Sequence, residues 1–67
     1  MKGGAEILRE AIGDLHKGET LERAVGRVAR RHGGTYDDYV RIMDDVRDVA
    51  RRESLTPMQA ARKLAHL

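Results

Sequence analysis

The sequence has no cysteine, no phenylalanine and no tryptophan, and these absences limit what the chain can be. Without cysteine there are no disulfide bonds, no thiolate metal ligands and no thiol nucleophiles. A core has to come from the 17 Ile, Leu, Val and Met residues, because the eight alanines add thin packing surface rather than bulk. Such a core is modest, and a small chain of this kind often gains stability by associating with a second copy or with a partner.

Long hydrophobic runs are also missing from the chain. No stretch approaches the roughly 18 apolar residues that span a membrane, and the segment MKGGAEILREAI lacks the continuous apolar core of a signal peptide. A cytoplasmic protein without membrane contact is the expectation. The net charge is only +2 although 36% of residues are charged, and apolar residues recur at regular spacing. Disorder is therefore rejected in favour of a single helical domain over residues 1–67.

The segment Thr35–Glu53 is the helix around which the rest of the chain should pack. Its apolar residues recur at helical spacing over roughly half of the circumference: Tyr36, Tyr39, Val40, Ile42, Met43, Val46, Val49 and Ala50. Thr35 is placed to act as the N-cap. An apolar arc this wide predicts a central third helix that contacts more than one neighbour, with Met43 and Val46 buried at its middle.

Two shorter helices precede the third. The first is predicted over Ala5–Lys17, with Gly18 as its C-terminal stop. The second is predicted over Leu21–His32, with Thr20 as its N-cap. The connections between these helices are short, which predicts antiparallel packing of consecutive helices.

A fourth helix should begin at Pro57. Thr56 is the expected N-cap, Pro57 takes the first helical position, and Gln59 completes a capping box. No strand pattern or repeat is present. The predicted fold is therefore all-α, a small four-helix bundle-like domain with a long central third helix.

The chain contains no recognisable catalytic or metal-binding motif. The three histidines lack the spacings of paired zinc ligands, which favours structural or solvated roles. The aspartates of the third helix form ordinary ion pairs with arginines three and four residues away, which favours a solvated face over a metal site. No serine lies in a nucleophile turn, and no glycine pair belongs to a phosphate-binding loop. The prediction is a protein that is not an enzyme and holds no metal and no cofactor.

The basic face of the second helix is the most specific feature of the sequence. Four arginines lie within about 100° of one another on the side opposite its apolar stripe: Arg23, Arg27, Arg30 and Arg31. They could bind a polyanion or an acidic partner, although Glu19 and Glu22 border the strip and a solvated face is the alternative interpretation. Both tyrosines are distant in sequence, so aromatic side chains for base stacking are not expected beside these arginines.

A second nucleic-acid hypothesis concerns the end of the chain. The third helix, a short turn and the fourth helix could form a helix-turn-helix that exposes Gln59, Arg62, Lys63 and His66 for contact with bases or phosphates. The turn lacks the glycine that is common in this motif, and a recognition helix that ends at the last residue has little support.

The favoured functional interpretation is a small adaptor or regulator that acts through protein–protein contacts, as a homodimer. Tyr36, Tyr39 and Met43 are the residues expected to contribute to self-association, because the wide apolar arcs of the first and third helices exceed what four short helices can cover. The alternative is a DNA- or RNA-binding regulator that uses the arginine strip or the C-terminal helices.

Overall fold

The computed structural model describes residues 2–67, which form four α-helices and no strand. In chain order these are α1 (Gly4–Gly13), α2 (Leu21–Arg31), α3 (Tyr36–Glu53) and α4 (Pro57–Leu64). The all-α, four-helix prediction is confirmed, and α3 is the longest helix with 18 residues.

Three of the four helices begin where their capping residues predict. The Thr20 hydroxyl accepts a hydrogen bond from the backbone N–H of Arg23 at the start of α2. At α3, Thr35 and Asp38 form a reciprocal capping box. At α4, Thr56 and Gln59 form another, with proline in the first turn. These starts are local in origin, because each cap and its partner lie within three residues of one another.

The first helix is shorter than predicted. It ends at Gly13, so the expected end at Lys17 is wrong, and Leu15 is 37% exposed in the following loop instead of lying on a buried face. The loop after Gly13 makes other contacts instead of continuing the helix. Arg27 donates a hydrogen bond to the backbone carbonyl of Asp14 at 2.9 Å, and the backbone N–H of His16, which would bond to Ile12 in a longer helix, donates to the Glu19 carboxylate at 3.0 Å.

The core depends on close helix approach rather than on large side chains. Six of its fifteen buried hydrophobic residues are alanines, including Ala60, Ala61 and Ala65 at the α4 end of the chain. Met43 and Val46 are 2% and 0% exposed, which confirms their predicted burial in α3. Among residues 2–67 the only large hydrophobic side chains that remain exposed are Leu15, Tyr36 and Leu67. One chain therefore covers its own apolar arcs.

The four helices pack in a ring in which each makes its main contacts with two neighbours. Helix α1 packs most extensively on α2, and α3 on α4, whereas the α2–α3 and α1–α4 contacts are smaller. Ion pairs join Glu10 to Arg31 and Asp14 to Arg27, so α1 and α2 run antiparallel as predicted. The prediction that α3 contacts more than one neighbour is confirmed. None of the helices in the described part of the chain has the length and apolar character to cross a bilayer.

Candidate binding groove between α2 and α3

The four arginines predicted to form one strip on α2 fall into two pairs with different surroundings. Arg27 is half-buried against the loop that joins α1 to α2. Its guanidinium donates to the Glu19 carboxylate at 2.8 and 3.2 Å and to the Asp14 carboxylate at 2.8 Å. The guanidinium group carries five N–H donors in one plane, so it can donate to both carboxylates at the same time. Arg27 is therefore a structural cation rather than a free one.

Arg31 is engaged in the same way by α1. It donates to the Glu10 carboxylate at 2.8 Å and to the Asp14 carboxylate at 3.1 Å. The ring nitrogen Nε2 of His32 lies 2.9 Å from the Glu10 carboxylate, and it must be the donor because an ionised carboxylate only accepts. His32 is half-buried at this position, in agreement with the structural role predicted for it.

The resulting network lowers the pKa of each carboxyl group that it contains. Hydrogen bonds from Arg27, and then from the backbone N–H of His16, lower the pKa of Glu19 to about 2. Hydrogen bonds from Arg27 and Arg31 hold the pKa of Asp14 below its ordinary value. The hydrogen bond from His32 is the main cause of the lowered pKa of Glu10. The three acids are thus held in the ionised form mainly by hydrogen bonds from Arg27, Arg31 and His32.

Arg23 and Arg30 have no such partners. Both are exposed, and within residues 2–67 neither makes an ion pair. All four arginines border the depression between α2 and α3, but only Arg23 and Arg30 do so without a carboxylate partner in residues 2–67. The predicted four-arginine strip is therefore divided, with two cations neutralised on the α1 side and two left free on the α3 side.

A groove of about 830 Å³ opens between α2 and α3, where the two helices contact each other less extensively. Its α2 wall carries Arg23, Gly26 and Arg30, and its α3 wall carries Tyr36 and Tyr39. Engaged Arg27 and Arg31 also border it, as do the acids Glu19 and Glu22. The groove combines a concave shape, two free guanidinium groups and two phenol rings.

The two tyrosines correct the expectation that no aromatic side chain lies beside the arginines. The ring centroids of Tyr36 and Tyr39 are 5.9 Å apart, and Tyr36 is 76% exposed. Tyr39 is half-buried, and its ring lies beside Gly26 of α2. A Cβ atom at Gly26 would meet ring atoms of Tyr39 at 3.7 Å. Sequence distance gave no sign of this juxtaposition, because it depends on how α2 packs on α3.

The four residues proposed for helix-turn-helix contacts are all exposed, but two of their side chains are engaged within the chain. The side-chain carbonyl of Gln59 accepts from the backbone N–H of Thr56, and Lys63 is paired with Glu53. His66 lies beyond the end of α4, in the left-handed backbone region with φ 61°. Of the four residues, only Arg62 is an exposed residue of α4 whose side chain makes neither a hydrogen bond nor an ion pair within residues 2–67.

The three residues expected to mediate self-association differ in how much of each side chain is exposed. Met43 lies in the core at 2% exposure, so its expected contribution to a contact with a second copy is corrected. Tyr39 is half-buried in the groove, and only Tyr36 presents a large free surface. Within residues 2–67 no group of three or more His, Cys, Asp or Glu side chains is arranged to hold a metal ion.

Comparison with known proteins gives no further assignment, since no family model, no curated protein and no solved structure matches this chain. Its function has to be inferred from the geometry of its own residues. The α2–α3 groove is the site with the strongest combination of shape and unsatisfied charge.

Proposed function

We propose that this protein is a small non-enzymatic interaction module, an adaptor or regulator, that binds an acidic segment of a partner protein in the α2–α3 groove. The observation that carries the proposal is the contrast along α2. Arg27 and Arg31 are satisfied by acids of this chain, whereas Arg23 and Arg30 face the groove without a carboxylate partner in residues 2–67. An external carboxylate would supply the missing ion pairs.

The side chains around the groove are of the types that dominate binding energy at protein interfaces. Tyrosine and arginine are enriched among such residues, and the groove offers both from facing walls. Tyr36 presents an apolar ring and a hydroxyl group, so it can remain in water in the free protein and pack against a partner in the complex. Its exposure is therefore consistent with a role in binding rather than in folding.

The prediction of a homodimer no longer has the observation on which it was based. That prediction assumed more apolar surface than one chain could cover, but the alanine-rich core covers it. A foreign partner is accordingly favoured over a second copy. Sedimentation equilibrium at micromolar concentration tests this preference, and a single species of 7.5 kDa is the expected result.

A second candidate is the binding of single-stranded nucleic acid, favoured by the two phenol rings beside the free arginines. Stacking on aromatic rings next to a basic groove is typical of that function. Charge argues against it as the main function. Two free arginines would neutralise about two phosphates, whereas strongly salt-dependent DNA binders make roughly 6–10 such contacts.

Fluorescence anisotropy with labelled oligoglutamate, and separately with single-stranded and duplex DNA, tests the proposed function. The Arg23→Glu/Arg30→Glu double variant should abolish binding of oligoglutamate. The matched control is Arg41→Glu/Arg62→Glu, which changes two exposed arginines outside the groove. Each double variant changes the net charge by four, from +2 to −2, so a non-specific charge effect would weaken binding equally in both. Equal weakening, or no binding by the unmodified protein, would contradict the proposal.

A further inference from the structure

The free arginines and the glycine of the groove form one row along α2. Arg23, Gly26 and Arg30 are spaced by three and four residues, which places them on the same face of the helix. Arg23 and Arg30 are seven residues apart, or about 10.5 Å along the helix axis at roughly 1.5 Å per residue. The groove therefore presents two cations about two helical turns apart with an uncharged position between them.

The position between the two cations has an apolar floor. Gly26 has no side chain, and the ring of Tyr39 occupies the space beside its backbone. Ala29 also lines the groove on this side, and it is buried. A ligand that pairs with both arginines has to pass over this floor, and an apolar side chain at that point would be removed from water against the Tyr39 ring.

The secondary structure of a bound segment follows from these spacings. In a helix, residues i and i+7 lie on one face about 10.5 Å apart, which matches the separation of the arginines. In an extended strand, residues on one face repeat every second position, at about 6.6 or 13 Å, and neither distance matches. The backbone spacing of a helical ligand therefore matches that of the two arginines, so that one face of the ligand can place a carboxylate beside each of them.

We infer that the partner segment is an amphipathic acidic α-helix that lies along the α2–α3 groove, an inference that rests on the proposed function. It carries carboxylates at positions i and i+7, which pair with Arg23 and Arg30. It carries apolar side chains at i+3 and i+4, which lie over Gly26 and contact Tyr36 and Tyr39. This is the helix-in-groove mode of recognition with a charged residue at each end of the contact.

A second copy of this chain does not supply such a helix. The only acidic residues seven positions apart are the pairs Asp37/Asp44 and Asp38/Asp45, both in α3. In each pair Arg41 occupies one of the central positions, where it would face the groove arginines at close range. Asp38 is also engaged with Thr35 in the capping box. Charge complementarity therefore points to a foreign helix.

Two fluorescein-labelled peptides of about 18 residues, each on an alanine–glutamine helical background, test the inference. The first has Glu at i and i+7 and Leu at i+3 and i+4. The second has the same composition and the same leucines, but both glutamates are moved by two positions, so that they lie on the far side of the helix. The first peptide should bind the unmodified protein at least about tenfold more tightly, because only it pairs both arginines.

Charge reversal separates a specific pairing from a general effect of charge. The Arg23→Glu/Arg30→Glu variant should no longer bind the first peptide. It should instead bind a version of that peptide with Lys at i and i+7, and this binding would also show that the variant is folded. Circular dichroism of that variant provides an independent check of its helical content. Failure of the lysine peptide to bind a variant that is fully helical would overturn the proposed pairing.

The remaining outcomes distinguish this inference from the proposed function. If both peptides bind equally and both are lost in the double variant, the groove binds acidic segments without the helical register, and only the inference fails. If neither peptide binds but oligothymidylate does, in a manner lost with Tyr36→Ala, the groove is a nucleic-acid site, and both fail. If no probe binds, both fail as well.

Discussion

Two pairs of arginines lie on α2, and they differ in whether carboxylate groups of the chain bind them. Arg27 and Arg31 are held by acids of the α1 side through five hydrogen bonds to carboxylates, and Arg27 binds a backbone carbonyl as well. Arg23 and Arg30 face the α2–α3 groove with no carboxylate partner in residues 2–67. The four residues are chemically the same, so what distinguishes them is the supply of acids on the neighbouring helix. The α1–α2 side is joined by ion pairs, and we propose that the α2–α3 side binds a ligand.

The core beneath both sides is the first place to test this division, and it should give the largest effect. Val46 is fully buried in α3, so Val46→Asp would place an unpaired charge among aliphatic side chains at a cost of several kcal/mol. That cost is comparable to the whole stability of a small domain. We expect loss of helical signal in circular dichroism and loss of binding together. A folded variant with unchanged melting temperature would show that Val46 is not buried in the core.

Removal of Arg27 should have the next largest effect on stability. Arg27→Ala leaves Glu19 and Asp14 without their principal donor and frees the Asp14 carbonyl, so we expect a clear fall in melting temperature. The groove cations are untouched, so binding of the acidic peptide to the folded fraction should persist. Loss of binding without loss of stability would assign Arg27 to the groove and remove the contrast with Arg23.

Thr56→Ala is a control for that experiment, because it weakens the fold at the start of α4, away from all four arginines. Loss of the N-cap hydrogen bond should cost about 1 kcal/mol, or roughly 4–8 °C in melting temperature for a domain of this size. Peptide affinity measured well below the melting temperature should not change. A change in affinity would indicate that stability and binding are coupled through the whole bundle.

Acid titration tests the α1–α2 network without a mutation. The pKa of Glu19 is about 2 in the folded chain against an ordinary value of 4.5, so its contribution is complete above pH 4.5 and is lost as pH falls toward 2. The lowered pKa values of Asp14 and Glu10 act in the same direction. We expect denaturant stability to fall through this range, and to fall less steeply in Glu19→Gln. An equal slope in that variant would mean that other acids, such as Asp38 in the α3 cap, dominate the acid response.

Local features of the fold could be predicted from the sequence, and features that depend on packing could not. The starts of α2, α3 and α4 follow from residues three positions apart, so the capping residues were sufficient. The end of α1 coincides with a contact from Arg27, which is 13 residues from Asp14 in the chain. The proximity of Tyr39 to Gly26 likewise requires the packing of α2 on α3.

One signal for the division of the arginines is nevertheless present in the sequence. Glu10 and Asp14 are four residues apart on α1, as Arg27 and Arg31 are on α2. Two antiparallel helices with this spacing pair Asp14 with Arg27 and Glu10 with Arg31, as observed. The spacing within α2 alone places all four arginines on one face of the helix. The charge spacing of the two neighbouring helices therefore distinguishes the pair that is bound by acids from the pair without a carboxylate partner in residues 2–67.

The smallest expected effect on stability, and the sharpest test of the comparison, comes from Arg23→Ala. An exposed side chain without an ion-pair partner in residues 2–67 contributes little to the folded state, so the melting temperature should stay within error of the unmodified protein. The same change removes one of the two free groove cations, and peptide affinity should fall severalfold with a weaker dependence on salt. Arg27→Ala should show the reverse pattern of lower stability and retained affinity. If the two variants behave alike in both measurements, α2 carries a single arginine surface, and the assignment of one side to folding and the other to binding is wrong.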